Sequence, residues 1–267
     1  CSIGVFSFWY SRQRPCLFHS PHLRWGINGL VHLEILEEDV PKLLAVEKSG
    51  EYLKQPGKES DTFLRKRNYL IVLLAVASGM RIGEIFGLTW PCVDVTTATI
   101  VVKHSLQNMP KNRVLKSTKT GKQRKIVVPK SVAVEIAEWR EYQAAYAEKF
   151  KGFYKNKMDS VFTDQKGGLI GMTHFGICDY RAISDAASLS GTRFQDLRHF
   201  FASRALAHGV SVTAVSEQLG HSSINITLDR YTHVLEKSRD EMKAMLNANP
   251  LFKTGDAVDK ESLEKHG

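Results

Sequence analysis

Cysteine is scarce in this chain: four in 267 residues, at positions 1, 16, 92 and 178, with no C-x-x-C pair and no metal-ligand spacing. That pattern argues against a zinc module and a disulfide framework, and it fits free thiols in a reducing cytoplasm. Long apolar runs are lacking too. The longest, YLIVLLAVASGM at 69 to 80, falls well short of the roughly 20 residues that cross a bilayer, so it reads as a buried helix and no membrane partner is expected. The opening segment CSIGVFSFWYSRQRP shows no basic stretch before its apolar patch and no small-residue cleavage site, so no export signal is visible. No internal repeat is apparent. Acid is the other deficit, with 28 Asp and Glu against 37 Lys and Arg, a net charge of +9 and a pI near 9.3. A surplus of that sign favours a polyanionic partner, because clustered cations release counterions from phosphates.

What is present is a globular pattern, with a hydrophobic content of 43%. It starts near LEILEEDVPKLLAVEKS (33–49), where acids precede Pro41 and an apolar stripe, as at a helix start. A loop, QPGKESD (55–61), leads to a long helix, TFLRKRNYLIVLLAVASG (62–79), ended by Gly79. RIGEIFGL places Ile82, Ile85 and Phe86 on one face of a short helix. ATIVVKHS (98–105), RVLKST (113–118) and QRKIVV (123–128) read as three strands, the last two joined in a hairpin through KTGK (119–122). Helices are expected at 130–149 and 173–188, with VFTDQKGG (161–168) a connector. Another starts near Gln195, buries Leu197, Phe200, Phe201 and Leu206, and stops at Gly209. Ser211 caps the next, which ends at Leu219 and Gly220. In SRDEMKAML, Ser238 and Glu241 have capping-box spacing, with Met242, Met245 and Leu246 as a narrow apolar stripe. Residues 1–30 show no periodicity and stay unassigned, and the polar tail from 248 to 267 is expected to be disordered. The fold class is α+β and mainly helical, with a small three-stranded antiparallel sheet.

Residues 111–130 carry Lys111, Arg113, Lys116, Lys119, Lys122, Arg124, Lys125 and Lys130 without one acid. A charged ribbon of this kind suits a nucleic-acid groove, and Lys116, Lys122, Arg124 and Lys125 are its candidate DNA contacts; a solvated edge strand is the plain alternative. Arg81 opens a helix, where a guanidinium and backbone N–H groups can converge on an anion, or where it can simply pair with Glu84. Arg198 lies on the polar side of a helix whose other face is Phe-rich, so a solvent-facing salt bridge is its plain explanation. His199 and His208 have no acid at metal-ligand spacing and read as surface or supporting histidines, and no metal or cofactor is expected. Tyr231 sits in a stretch that reads as too polar for complete burial, and taken alone it is core packing.

Together these segments say more. SGMRIGEIFGLTW, STKTGKQRKIVVP, FQDLRHFFASRAL and LGHSSINITLDRYTHV closely resemble, in order and spacing, the catalytic domain of the tyrosine recombinases, the phage-integrase family, over roughly residues 31–247. The resemblance implies that Arg81 and Arg198 are the two catalytic arginines, Lys119 the hairpin lysine, His221 the late histidine and Tyr231 the nucleophile. One position departs: the family usually has a histidine three residues before its second arginine, where this chain has Gln195, which donates hydrogen bonds but exchanges no proton near neutral pH.

The resemblance further implies cleavage and rejoining of double-stranded DNA through a 3′-phosphotyrosine, self-association as a tetramer on DNA, accessory DNA-bending proteins, and a bacterial or phage-encoded, nucleoid-associated setting. The helix at 239–247 is the candidate docking element for a neighbouring copy, with packing on its own body as the plain alternative. The family normally carries a helical DNA clamp ahead of this domain, which residues 1–30 cannot supply, so a truncated member, or a fragment whose first residues are not native to the fold, is expected, with weak or unspecific DNA binding. Two other functions share these features: a type IB topoisomerase-like nicking-closing enzyme, and a relic that only binds DNA.

Overall fold

The computed structural model describes residues 23–25, 31–33, 35–53, 59–108, 113–117 and 123–248. Strands β1 (Leu23–Trp25) and β2 (Val31–Leu33) pair antiparallel ahead of helix α1 (Asp39–Ser49). Helix α2 (Glu59–Ser78) organises the core. Its apolar run at 69 to 80 buries Leu70, Ile71, Val72, Leu74 and Ala75, and α2 packs against α1, α4 (Lys130–Lys149) and α7 (Phe194–Ala207). Phe63, fully buried near its start, meets the rings of Tyr146 and Trp139 at centroid distances of 4.4 and 5.1 Å. Burying side chains of this size contributes about 1.5–3 kcal/mol each, which is what holds α2 and α4 together.

Gly79 ends α2 at φ +66° and donates to the Ala75 carbonyl at 3.0 Å. Only glycine adopts that left-handed conformation without strain. The reversal leads directly into α3 (Ile82–Phe86), whose Glu84 closes back on the Arg81 N–H at 3.0 Å. After a 3₁₀ turn at Trp90–Cys92 come β3 (Val93–Asp94), β4 (Thr99–Val102), β5 (His104–Asn108), β6 (Arg113–Ser117) and β7 (Arg124–Val127).

A three-stranded antiparallel sheet is present, in the order β3-β4-β7, but its members differ from those expected. Residues 113–117 do not fold back on 124–127. They pair with β5, Leu106 opposite Leu115, while β7 pairs with β4, Ile100 opposite Ile126. The reason lies at Lys103, where the expected single strand 98–105 breaks into two: β4 takes β7 as its partner and β5 takes β6.

The expected helix at 173–188 is interrupted. Helix α5 (Met172–His174) passes through a π-helical turn, Phe175–Asp179, into α6 (Tyr180–Ala186). Helix α8 (Val212–Leu219) starts on Ser211, whose Oγ accepts the Ala214 N–H at 3.2 Å, and ends at Gly220 with φ +67°. Helix α9 spans Ile224–Ala248, so residue 238 is interior and no new helix starts there. The bend instead falls at Tyr231, whose φ of −118° and ψ of 19° leave the helical region. Met242, Met245 and Leu246 are exposed on its last turns.

Candidate active site

Three turns of chain converge: the α2–α3 reversal, the middle of α7, and the end of α8. Arg198 is buried, 3% exposed, and donates from Nη1 to the Gly79 carbonyl at 2.6 Å and from Nη2 to the Leu219 carbonyl at 2.8 Å. The solvent-facing salt bridge open to it from sequence is not formed. Its helix presents that side to the carbonyl end of α8, and the unpaired carbonyls there carry the negative end of the helix dipole. Arg81 reaches the same place, donating from Nη1 to Leu219 O at 3.4 Å and from Nη2 to Gly220 O at 3.4 Å. Two guanidinium groups therefore share one carbonyl oxygen.

Like charges at that separation need a counter-ion, and Glu84 supplies it. Its carboxylate accepts from Arg81 Nη1 at 3.0 Å and from Arg124 Nη1 and Nη2 at 2.9 and 2.7 Å. Burial pushes this carboxyl up, yet the bidentate Arg124 and the Arg81 contacts outweigh burial and hold it below the usual range. Cation still exceeds anion. Burial first, and then the charge of Arg81, push Arg198 down to about 9. Burial and the charges of Arg198, Arg81, Arg230 and Arg124 push His221 down to about 4. Three guanidinium groups, of Arg81, Arg124 and Arg198, surround the one carboxylate of Glu84, so the pocket carries a net positive charge suited to an anion.

His221 is half-buried, and its Nδ1 lies 2.7 Å from Thr227 Oγ1, a contact that fixes the ring. Tyr231 is 2% exposed, against the expectation from its polar neighbourhood. Its ring sits in a small second core with Ala202, Leu206, Val215 and Leu219. The phenol oxygen lies 3.0 Å from Nδ1 of His199. Burial pushes the phenol above its ordinary pKa, against the pull of Arg198 and Arg230.

The structure thus brings Arg81, Arg198, His221 and Tyr231 to one locality. Gln195, in the first turn of α7, is exposed, and no side-chain hydrogen bond joins it to the described residues. Lys119 and Lys122 lie outside the described residues. Lys116 on β6 and Lys125 on β7 are exposed, as a phosphate contact requires. Arg124 is differently placed: besides Glu84 it donates to the Gln218 carbonyl at 3.1 Å, so its guanidinium faces the site from within. Sequence reading missed two residues. In sequence Glu84 reads only as a local partner of Arg81, and nothing marks Gln218, although its amide brackets Val127 on β7, with Oε1 3.3 Å from the N–H and Nε2 3.1 Å from the carbonyl. A side-chain amide can mimic a strand neighbour in this way, and no local sequence signal reports it.

Among the described residues no group of three or more His, Cys, Asp or Glu is arranged to hold a metal, and no helix is long and apolar enough to cross a membrane.

Residues 35–238 match the Phage integrase family. A tyrosine recombinase XerC-like protein of Caldanaerobacter subterraneus subsp. tengcongensis is 30% identical over 189 residues, 66% of this chain and 48% of that one. Tyrosine recombinase XerD of Agrobacterium fabrum is 29% identical over 232 residues, 83% of this chain and 63% of that one. The chain therefore spans between about half and two thirds of the length of these curated relatives. In fold it is similar to the Tn1549 transposon integrase in complex with transposon right end DNA (TM-score 0.62, 20% identity, 79% of this chain and 65% of that one). It is similar also to XerA recombinase (TM-score 0.59, 18% identity, 81% of this chain and 66% of that one).

Proposed function

We propose, since this chain belongs to the phage integrase family of tyrosine recombinases, that it cleaves and rejoins double-stranded DNA at specific sites, with Tyr231 as the nucleophile. The observation that carries this reading is the sharing of the Leu219 carbonyl by Arg81 and Arg198, with His221 and Tyr231 on the segment that follows. A phosphodiester resists attack because its charged oxygens repel the nucleophile. Two preorganised guanidinium groups and an imidazole N–H offset that repulsion as charge builds in the transition state.

The phenol oxygen of Tyr231 bonds to phosphorus as the bond to the 5′ oxygen breaks. A departing 5′ alkoxide needs a proton, and Lys119 is the acid by its place in the family motif. The bond energy is kept in the phosphotyrosine, so a 5′ hydroxyl from another strand reverses the step without ATP. Exchange between two duplexes requires several copies, and a tetramer on DNA is the assembly we expect, with DNA-bending proteins as accessories. Lys116, Lys122 and Lys125 would hold the backbone beside the site. The relatives' names point the same way, since one is an integrase seen with transposon right end DNA.

A pool of singly nicked duplexes of random sequence, incubated with the chain and denatured, tests the reading. Wild type should yield covalently linked DNA from which a preferred site can be selected, and Tyr231→Phe should yield none. The exposed, unengaged Gln195 favours one second reading, a DNA-binding relic; linkage in Gln195→His but not in wild type would support it.

A further inference from the structure

We propose that His199 is the group that takes the proton from Tyr231 during DNA cleavage and returns it during rejoining. This rests on the reading of Tyr231 as nucleophile. The geometry is direct: the phenol oxygen and Nδ1 are 3.0 Å apart, and the two ring centroids are 6.1 Å apart. His199 is the one described hydrogen-bond partner of that hydroxyl, on a side chain that is 2% exposed. A proton leaving it therefore has the imidazole in front of it. The other nearby imidazole, His221, has its Nδ1 committed to Thr227 at 2.7 Å. Gln195, on the same helix, cannot accept a proton at all.

The ring is in the right form for the task. Burial first, then Arg230 on α9, hold it down to about 4; Arg198 and Arg193 on α7 act in the same direction, and Asp196 on α7 opposes them. At neutral pH the imidazole is uncharged, and the tautomer protonated on Nε2 leaves Nδ1 with a free lone pair. In the free chain it is a weak base. A bound phosphodiester supplies the negative charge that the pocket lacks and raises the ring's proton affinity, while bonding to phosphorus drives that of the phenol oxygen down.

The step balances. The Tyr231 Oη–P bond forms as the P–O5′ bond breaks, the phenol proton passes to Nδ1 and gives an imidazolium, and the leaving oxygen takes a different proton from the acid on its own side. Rejoining runs the same transfers backwards, so no co-reactant is consumed.

The test uses the duplex selected by covalent linkage to wild type, with linkage rate followed against pH in wild type, His199→Asn and His199→Gln. Wild type should depend far less on pH than the variants between about pH 6 and pH 8, because its proton acceptor is the imidazole and not hydroxide. Both variants should be slower by about 100-fold or more near pH 7, and should speed up about tenfold per pH unit as hydroxide takes over the proton. Replacing Tyr231 by a fluorinated tyrosine, whose phenol is more acidic, should restore the variants in part and change wild type little. Equal rates in wild type and the variants would overturn the proposal. So would a loss that is independent of pH and not relieved by the fluorinated phenol, since that pattern belongs to a positional contact. If wild type itself forms no covalent link with any duplex, the recombinase reading falls and takes this one with it.

Discussion

Removing the counter-charge beneath the two arginines is the sharpest perturbation of this site. Glu84 is 6% exposed and accepts four hydrogen bonds, three from guanidinium groups at 2.7 to 3.0 Å and one from the Arg81 backbone at 3.0 Å. Glu84→Gln keeps the shape but withdraws the charge. It leaves Arg124 and Arg81 facing each other and withdraws the negative charge near Arg198, whose own hydrogen-bond partners are neutral carbonyls. Each charge-assisted bond contributes about 1.5–3 kcal/mol taken singly, but they share one carboxylate and do not add. Breaking a buried ion pair on one side costs about 3–5 kcal/mol, and the remaining amide acceptor places this variant near ~3 kcal/mol. For a domain of this size that lowers the melting temperature by about 6–12 °C.

Two measurements check the reasoning. Thermal unfolding of Glu84→Gln should show the drop, and Glu84→Gln with Arg124→Met should recover part of it, because the uncompensated guanidinium is gone. The carboxyl is held below its ordinary pKa, so its stabilisation is present above about pH 4.5 and is lost as pH falls through the folded value. The stability difference between wild type and Glu84→Gln should therefore shrink in acid. A melting temperature within about 2 °C of wild type at pH 7, or a double variant less stable than the single, would refute the counter-ion role.

Gly220→Ala should destabilise by about 1–2 kcal/mol from the left-handed backbone alone, and its methyl carbon would meet Arg124 Nη1 at 2.7 Å; DNA linkage should fall with stability, and linkage intact in a chemically stable variant would contradict the packing. Gly79→Ala should be worse, since its methyl carbon would lie 2.6 Å from Phe201 and 2.7 Å from Leu219 at φ +66°, which urea unfolding would report as a lower midpoint. Arg198→Lys should lose linkage by well over tenfold while folding persists, because an ammonium cannot span the Gly79 and Leu219 carbonyls as the planar fork does. Glu47 tests pH from the opposite side: burial pushes it up to about 8, so it keeps its proton in the fold, and stability should decline as pH rises from about 4.5 towards about 8. Glu47→Gln should flatten that decline in urea titrations.

The helix ends were legible because glycine reports a left-handed backbone directly: Gly79 and Gly220 stand where the sequence places them. The order of the four motifs gave the family, and the structure brings Arg81, Arg198, His221 and Tyr231 together as that order implies. Pairing between strands was less legible, because the break at Lys103 is a property of two competing partners and not of the residue itself. Arg198 looked like a surface cation for a related reason. What lies opposite its helix face is a set of carbonyls at the end of α8, and backbone acceptors leave no mark in a side-chain pattern. The contact of Tyr231 with His199 spans 32 residues and depends on the bend in α9, so spacing could not reveal it.

The most direct test of the account is to digest the covalent DNA–protein product of the selected duplex and identify the linked peptide by mass spectrometry. The expected product carries a single modified residue, Tyr231, bearing the 3′ phosphate, with a free 5′ hydroxyl on the other strand end. A linkage at any other residue, or cleavage that persists in Tyr231→Phe, would contradict it.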